Sequence, residues 1–155
     1  NAVTLARQAA ESKDVAVVVE IGASVPAQVM SDEVRVGQVL LNLLGNAVKF
    51  TPRGGQVNVR VQQDAAGAIA LMITDTGIGI KPEHISRLTE RFYRVDKSRS
   101  RATQGTGLGL AIVKHVLARH HGELKIDSDV GKGSRFSILF PRSAMLVRTD
   151  LVALS

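Results

Sequence analysis

Two carboxamides one helical turn apart, with an ammonium close behind, are the first residues in this sequence that offer chemistry. Asn42 and Asn46 are spaced i, i+4 within NLLGNAVKF, and Lys49 follows a further turn along. A 3.6-residue period puts all three on one face. The rest of that run is apolar, where a carboxamide without a partner is costly to bury. A carboxamide oxygen is a hard ligand. Mg²⁺, which keeps water and phosphate oxygens at its other positions, is one partner such a face could take. A polar helix edge turned to solvent is the plain alternative.

Two glycine motifs come next. In DTGIGI (75–80), Asp75 is an acceptor at the end of an apolar strand-like run. Gly77 and Gly79, having no Cβ, let the backbone approach a planar ligand. An adenine exocyclic amine is a natural donor to that carboxylate; a simple turn is the other reading. GTGLGL (105–110) opens a second helical pattern. Helix N-termini leave N–H groups unpaired and carry positive partial charge, so they attract phosphate. The spacing is not that of a dinucleotide fingerprint, since GTGLGL does not directly follow a strand and is preceded by basic and polar residues. Neither motif ends in Gly-Lys-Ser or Gly-Lys-Thr, so it is not a P-loop. Between the two motifs, Arg91, Arg94, Lys97, Arg99 and Arg101 crowd together, with Phe92 and Tyr93 as their only aromatics. That pattern reads as a basic flap over a polyphosphate rather than a stacking platform for bases.

The elements that must position these residues follow from the hydrophobic pattern. Leu5, Ala6, Ala9 and Ala10 predict a short helix over 2–12. Val15 to Ile21 predicts a strand, and 22–31, with Pro26, a loop. Val36, Val39, Leu40, Leu43, Leu44, Ala47 and Val48 make a broad apolar stripe over 32–50, capped by Ser31 or Asp32 and stopped by Thr51-Pro52-Arg53-Gly54-Gly55. Residues 57–63 and 68–74 predict a hairpin turning at Ala65-Ala66-Gly67. A short helix is expected near 82–88, and a longer one from GTGLGL to about His120, ended by Gly122. Strands at 123–128 and 134–140 are joined by Gly131-Lys132-Gly133. The stretch from Arg142 reads as a disordered end. The whole is an α+β layer pattern, helices on one side of a mostly antiparallel sheet.

Composition narrows the function classes. The chain has 155 residues, 45% hydrophobic and 22% charged, which fits one domain with a core. Aromatics are 3% with no Trp, so the core must be Val, Leu, Ile and Ala. With no Cys, disulfides and thiolate metal sites are excluded. No apolar run approaches the roughly 20 residues of a membrane span. The chain opens on Asn1 inside a helical pattern, which points to a piece of a longer protein whose membrane anchor would lie upstream. The net charge of +6 suits a basic surface, a phosphate ligand or nucleic acid.

Each motif is modest alone, but their order is specific. NLLGNAVKFTP, DTGIGI, RFYRVD and GTGLGLAIVKH resemble the successive nucleotide-binding boxes of sensor histidine kinases, over about 32–140. LTERFYRVDKSRSRAT and GLAIVKHVLARHHGEL are most similar to the phosphate-regulon sensor kinase branch. The resemblance implies the Bergerat ATP-binding fold, shared with gyrase-type and mismatch-repair ATPases. That fold is a two-layer α/β sandwich whose mixed, mostly antiparallel sheet is covered on one face by helices. It further implies a catalytic domain over 1–141, with a flexible ATP lid at about 88–106, and a tail over 142–155. ATP and Mg²⁺ are the implied cofactors.

By the same resemblance, Asn46 coordinates the Mg²⁺ that bridges the phosphates and Asn42 supports it. Lys49 and Arg94 are the catalytic cations, and Phe50 lines the pocket wall. Asp75 accepts from the adenine amine, with Gly77 and Gly79 shaping the pocket. Phe92 and Tyr93 pack the lid hinge. Gly105, Gly107 and Gly109 end the lid, and Leu108 packs near the nucleotide. Ile78, Ile80, Thr106 and Leu110 complete the ATP-binding set. Many relatives carry Phe at the place of Thr89, so its packing there is weaker or is supplied by Leu88.

One position separates a kinase from an ATPase. Hydrolysing relatives hold a glutamate at the place of Asn42, and a carboxamide cannot accept a proton. The expected reaction is therefore transfer of the γ-phosphoryl group to a histidine. His84, His115, His120 and His121 do not match the acceptor pattern, and His115 reads as a structural residue. The acceptor is expected on an upstream dimerisation hairpin, which with a response regulator makes up the implied partners; nucleic acid is not among them. The parent is expected to be an inner-membrane homodimer with this domain on the cytoplasmic side, monomeric when isolated. A free-standing ATPase of the same fold, a nucleic-acid-binding module and a degenerate pseudokinase are the competing readings.

Overall fold

Alternating Val, Ile and Leu positions beside one long apolar helical stripe leave a ready packing, with helices laid on one side of a sheet. The computed structural model describes residues 2–25, 29–30, 33–93, 109–144 and 146–147. In chain order these form α1 (Ala2–Lys13), β1 (Ala16–Ile21), β2 (Val29–Met30), α2 (Glu33–Phe50), β3 (Gln56–Gln63) and β4 (Ile69–Asp75). There follow α3 (Pro82–Ile85), α4 (Gly109–Arg119), β5 (Glu123–Asp129), β6 (Gly133–Phe140), a 3₁₀ turn at Arg142–Ala144, and β7 (Leu146–Val147).

Five strands form one sheet in the order β1-β3-β4-β6-β5. β1 runs parallel to β3, and every other pair is antiparallel. The parallel pair requires a crossover, and α2 supplies it. The period of two sends Val57, Val59, Ile69, Leu71, Ile73, Phe136 and Ile138 to one face, where they are buried. Gln56, Asn58 and Arg60 of β3 face solvent on the other. Val39, Leu43, Leu44, Ala47 and Val48 of α2 meet Val113, Val116 and Leu117 of α4 over that buried face. Each fully buried aliphatic side chain here is worth about 1.5–3 kcal/mol. This is the expected two-layer architecture, with aliphatic residues forming most of its core.

The ends of α2 and its neighbours decide where the chemistry lies. Thr51 is fully buried, and its hydroxyl donates to the Ala47 carbonyl at 2.6 Å. The Lys13 ammonium donates to the carbonyls of Val48 and Lys49 at 3.2 and 2.6 Å, pairing a cation with the negative end of α2. Two helices end alike. Val15 N–H bonds Ala10 and Asp14 N–H bonds Glu11 at the end of α1; Gly122 N–H bonds Leu117 and His121 N–H bonds Ala118 at the end of α4. In both, the left-handed residue is not glycine but Asp14 (φ 60°) or His121 (φ 55°). Gly122 therefore ends α4 for a different reason than expected. A Cβ there would lie 3.0 Å from the Leu117 side chain and 3.2 Å from the Leu139 carbonyl.

Two expectations fail. The loop expected over 22–31 contains β2, and the end expected to be disordered contains a 3₁₀ turn and β7, which pairs antiparallel with β2. Each segment finds its partner more than a hundred residues away, so no local pattern announces either. The short helix near 82–88 is also confined to Pro82–Ile85, with hydrogen-bonded turns continuing beyond it.

Candidate functional site

Asp75 is the last residue of β4, and its surroundings are set by the strand beside it. Register pairs Asp75 with Ser134 of β6. Asp75 Oδ1 accepts the N–H of Gly77 at 2.9 Å and of Ser134 at 3.2 Å. Both backbone donors go to the same oxygen, which leaves Oδ2 as the acceptor with no partner among the described residues. The side chain is only 6% exposed. Burial raises the carboxyl above its ordinary range, and the two backbone donors oppose that rise.

A second layer holds this arrangement. Ser128 Oγ accepts the N–H of Ile80 at 2.8 Å, donates to the Gly133 carbonyl at 3.0 Å, and lies 2.8 Å from Ser134 Oγ. Gly79 has φ +75°, and a Cβ on it would collide with the Asp129 carbonyl. Gly77 is held as closely, for a Cβ there would lie 2.6 Å from the Phe50 carbonyl and 2.7 Å from Asp75 Oδ1. The glycines of DTGIGI are thus required by close approach of protein backbone, as well as by any ligand.

The end of α2 abuts this loop. Ile78 N–H reaches the Phe50 carbonyl at 3.4 Å, so the C-terminal end of α2 lies against the loop that follows Asp75. Asn42 and Asn46 are half-buried one turn apart. The Asn42 side-chain amide nitrogen is buried with no hydrogen-bond partner among the described residues. Gly109 opens α4 directly against it, a Cβ there lying 3.5 Å from Asn42 Oδ1. The DTGIGI loop thus meets α2 at Phe50 and the start of α4 meets it at Asn42, contacts that span 28 and 67 positions of sequence. An orphaned carboxamide beside a second one, at the start of a helix, fits a ligand that brings both oxygen acceptors and a hard cation.

Residues 31–144 match the family of histidine kinase-, DNA gyrase B- and HSP90-like ATPases. The chain belongs to that family. It is 50% identical over 122 residues to the phosphate regulon sensor protein PhoR of Pseudomonas aeruginosa, covering 79% of this chain and 27% of that protein. It is 41% identical over 143 residues to the sensor-like histidine kinase SenX3 of Mycobacterium bovis, covering 91% and 34%. The chain thus spans a third or less of the length of PhoR and about a third of SenX3. Among solved structures, the mycobacterial sensor histidine kinase MprB aligns at TM-score 0.73 and 33% identity, over 90% of this chain and 93% of that one. Full-length ShkA in complex with AMPPNP aligns at 0.75 and 30% identity, over 93% and 30%. The fold is that of an ATP-binding histidine kinase domain, and the likeness to PhoR supports the phosphate-regulon branch.

The other residues expected at the site divide into two groups. Ile78 is 48% exposed and Phe50 45%, both flanking the Asp75 loop, whereas Ile80 and Leu110 pack on the core. Phe92 is 69% exposed, and Tyr93 is half-buried against α3. Arg94, Gly105, Thr106, Gly107 and Leu108 lie outside the described residues, so the expected lid is described only as far as Tyr93. His115 sits on α4 but is exposed rather than part of the core. A cavity of about 400 Å³ lies elsewhere, between Ile85, Thr89, Lys114, Leu117 and Leu124, and no nucleotide-site residue lines it. Thr89 borders this cavity, and Leu88 is not among its lining residues. The sequence reading missed Ser128, Gly133 and Ser134. The turn Gly131-Lys132-Gly133 marked the place, but a backbone donor such as Ser134 N–H has no residue-type signature.

Proposed function

We propose that this domain binds Mg-ATP and donates its γ-phosphoryl group to a histidine on an upstream helical hairpin, as the catalytic part of a two-component sensor kinase. The observation that carries this reading is the pair of unfilled polar groups on the two motifs: the buried Asp75, whose Oδ2 takes no donor, and the Asn42 carboxamide, whose amide has no acceptor, among the described residues. Asp75 accepts a hydrogen bond from the adenine amine. Gly77 and Gly79 allow the purine to approach the backbone, and Phe50 and Ile78 border it. Asn46, supported by Asn42, holds Mg²⁺, which when bound neutralises phosphate charge. Lys49 and Arg94 add positive charge at the triphosphate.

In the transfer step a histidine ring nitrogen forms its bond to the γ-phosphorus. The bond to the β–γ bridging oxygen breaks, and ADP leaves with that electron pair. Positioning and charge neutralisation supply the catalysis. Water is a poor competitor because Asn42 has no lone pair basic enough to take its proton at neutral pH. That is why transfer is favoured over a free-standing ATPase.

In the whole protein, residues 1–141 form the catalytic domain, about 88–106 the ATP lid and 142–155 the tail. The parent is a membrane-anchored homodimer with this domain on the cytoplasmic side, acting on a response regulator. The test is phosphotransfer. The isolated chain should bind Mg-ATP with negligible turnover, and should label the separately supplied hairpin from γ-labelled ATP. Steady hydrolysis without labelling would overturn the kinase assignment.

A further inference from the structure

We propose that Lys13 is a positioning residue for the nucleotide site, holding the last turn of α2 where it supports the purine-binding loop. The proposal rests on the nucleotide reading above and adds one residue to it. A helix leaves its last four carbonyls without partners inside the helix. In α2 these belong to Ala47, Val48, Lys49 and Phe50. The Thr51 hydroxyl donates to the Ala47 carbonyl at 2.6 Å. The Lys13 ammonium, reaching across from the end of α1, donates to the Val48 carbonyl at 3.2 Å and the Lys49 carbonyl at 2.6 Å. The fourth carbonyl, that of Phe50, accepts the N–H of Ile78 at 3.4 Å. One lysine, 35 and 36 positions away in sequence, thus serves two of the four, and the purine loop serves the next.

The Phe50 carbonyl leaves the loop no slack. A Cβ on Gly77 would lie 2.6 Å from that oxygen, so a small shift of the α2 end is felt at Gly77. Gly77 N–H is in turn one of the two donors that fix Asp75 Oδ1. The path from Lys13 to the purine acceptor therefore runs through Lys49, Phe50 and Gly77 to Asp75, and each step is a covalent link, a hydrogen bond or a close contact. Backbone bonds run beside it. Gly54 N–H donates to the Asp14 carbonyl at 2.8 Å, Ala16 N–H to Gly55 at 3.1 Å, and Thr76 N–H to Gln56 at 3.1 Å. The end of α1, the turn after α2 and the start of the purine loop are thereby joined in one stack. Lys13 brings charge to it. A cation suits the negative end of a helix, and charge-assisted hydrogen bonds are the strong ones. Stability alone would be served by a cap anywhere on that turn. Lys13 is half-buried and bonds the two carbonyls immediately before Phe50.

Adenosine is the probe, because it is uncharged and loses no Coulomb attraction when a cation is removed. Lys13→Met keeps the apolar stem and removes the donors. Its Tm should fall by about 5 °C. In calorimetry well below that Tm, adenosine should bind about fivefold more weakly than to wild type. Ile138→Val, which loosens the core on β6 with a comparable fall in Tm, should change adenosine affinity by less than about twofold. A cap that serves stability alone predicts the same affinity for both variants. Coupling is reciprocal, so adenosine should slow the acetylation of Lys13 in the wild-type chain by about threefold and leave the exposed Lys125 of β5 unaffected. That measurement needs no variant and decides the matter if Lys13→Met does not fold. Unchanged adenosine affinity in Lys13→Met, equal losses in the two variants, or acetylation of Lys13 indifferent to adenosine would each overturn the proposal. If the wild-type chain binds neither adenosine nor Mg-ATP, the nucleotide reading falls and takes the positioning role with it. Wild-type binding with an indifferent Lys13→Met removes the role of Lys13 alone.

Discussion

A Cβ on Gly133 would fall on the carbonyl oxygen of Asp75. Gly133 immediately precedes Ser134, the β6 residue that pairs with Asp75 on β4, and the β5–β6 turn is folded so tightly that Gly133 has φ +125°. Gly133→Ala must therefore part the strands at the point where Ser134 N–H holds the carboxylate. The expected cost is at least about 2 kcal/mol of stability, from overpacking together with a backbone angle closed to alanine. Urea denaturation measures it, and adenosine affinity should fall in parallel. A variant of native stability would mean that the turn tolerates another path.

Asp75→Asn should separate stability from function. The Gly77 and Ser134 N–H groups fix the amide oxygen at the position of Oδ1, so the new NH₂ faces the ligand and meets the adenine amine donor to donor. Nucleotide binding should be lost. Stability should move the other way. Burial raises the Asp75 carboxyl above its ordinary range, so between that range and the raised value the folded state holds more protons than the unfolded one. This group's contribution is greatest below the unfolded value and is lost as pH rises through the folded value. At pH 7 the asparagine variant, free of a buried charge, should melt higher than wild type. The gap should close as the solution is acidified toward the ordinary carboxylate range. A variant that melts lower at pH 7, or binds ATP unchanged, would contradict the burial argument.

Asn42→Glu should convert binding into turnover. The residue stands against the start of α4 with its amide unpaired, and a carboxylate there could take a proton from water attacking the γ-phosphorus. General-base assistance is worth on the order of 10²-fold or more, so phosphate release by the isolated chain should rise by about that factor. A variant that binds Mg-ATP and stays silent would place the attacking position out of reach of residue 42.

Thr89→Phe should stabilise the domain. Thr89 borders the cavity between α3, α4 and β5, whose other walls are mostly aliphatic. Filling it should add about 1 kcal/mol, which corresponds to a rise in Tm of about 2–4 °C for a domain of this size. A lower Tm would show that the cavity cannot take a ring without displacing Leu117 or Leu124.

Much of the architecture was legible because its signals are local. The stripe from Val36 to Val48 has one period and one face, and the alternation in 57–63 and 68–74 has another. Gly54, placed by the sequence at the end of the long helix, has φ +86° there, as a helix-stopping turn requires. The first glycine motif was readable for a related reason. Close backbone approach admits only a residue without a Cβ, and Gly77 and Gly79 meet that demand.

By itself, the sequence determined the longer helices and the five strands of the main sheet, the close approach that requires glycine in DTGIGI, and that Asp75, Asn42 and Asn46 are the polar residues their elements cannot readily bury. Tertiary structure alone decided what each of these meets. Ser134 reaches Asp75 across 59 positions because β4 and β6 pair in one register, and Gly109 covers Asn42 because α4 packs on α2. The tail found β2 for the same reason. Strand register and helix docking depend on contacts summed over the whole core, and the donors they deliver are backbone N–H groups that every residue except proline carries. No pattern of residue types can mark such groups in advance.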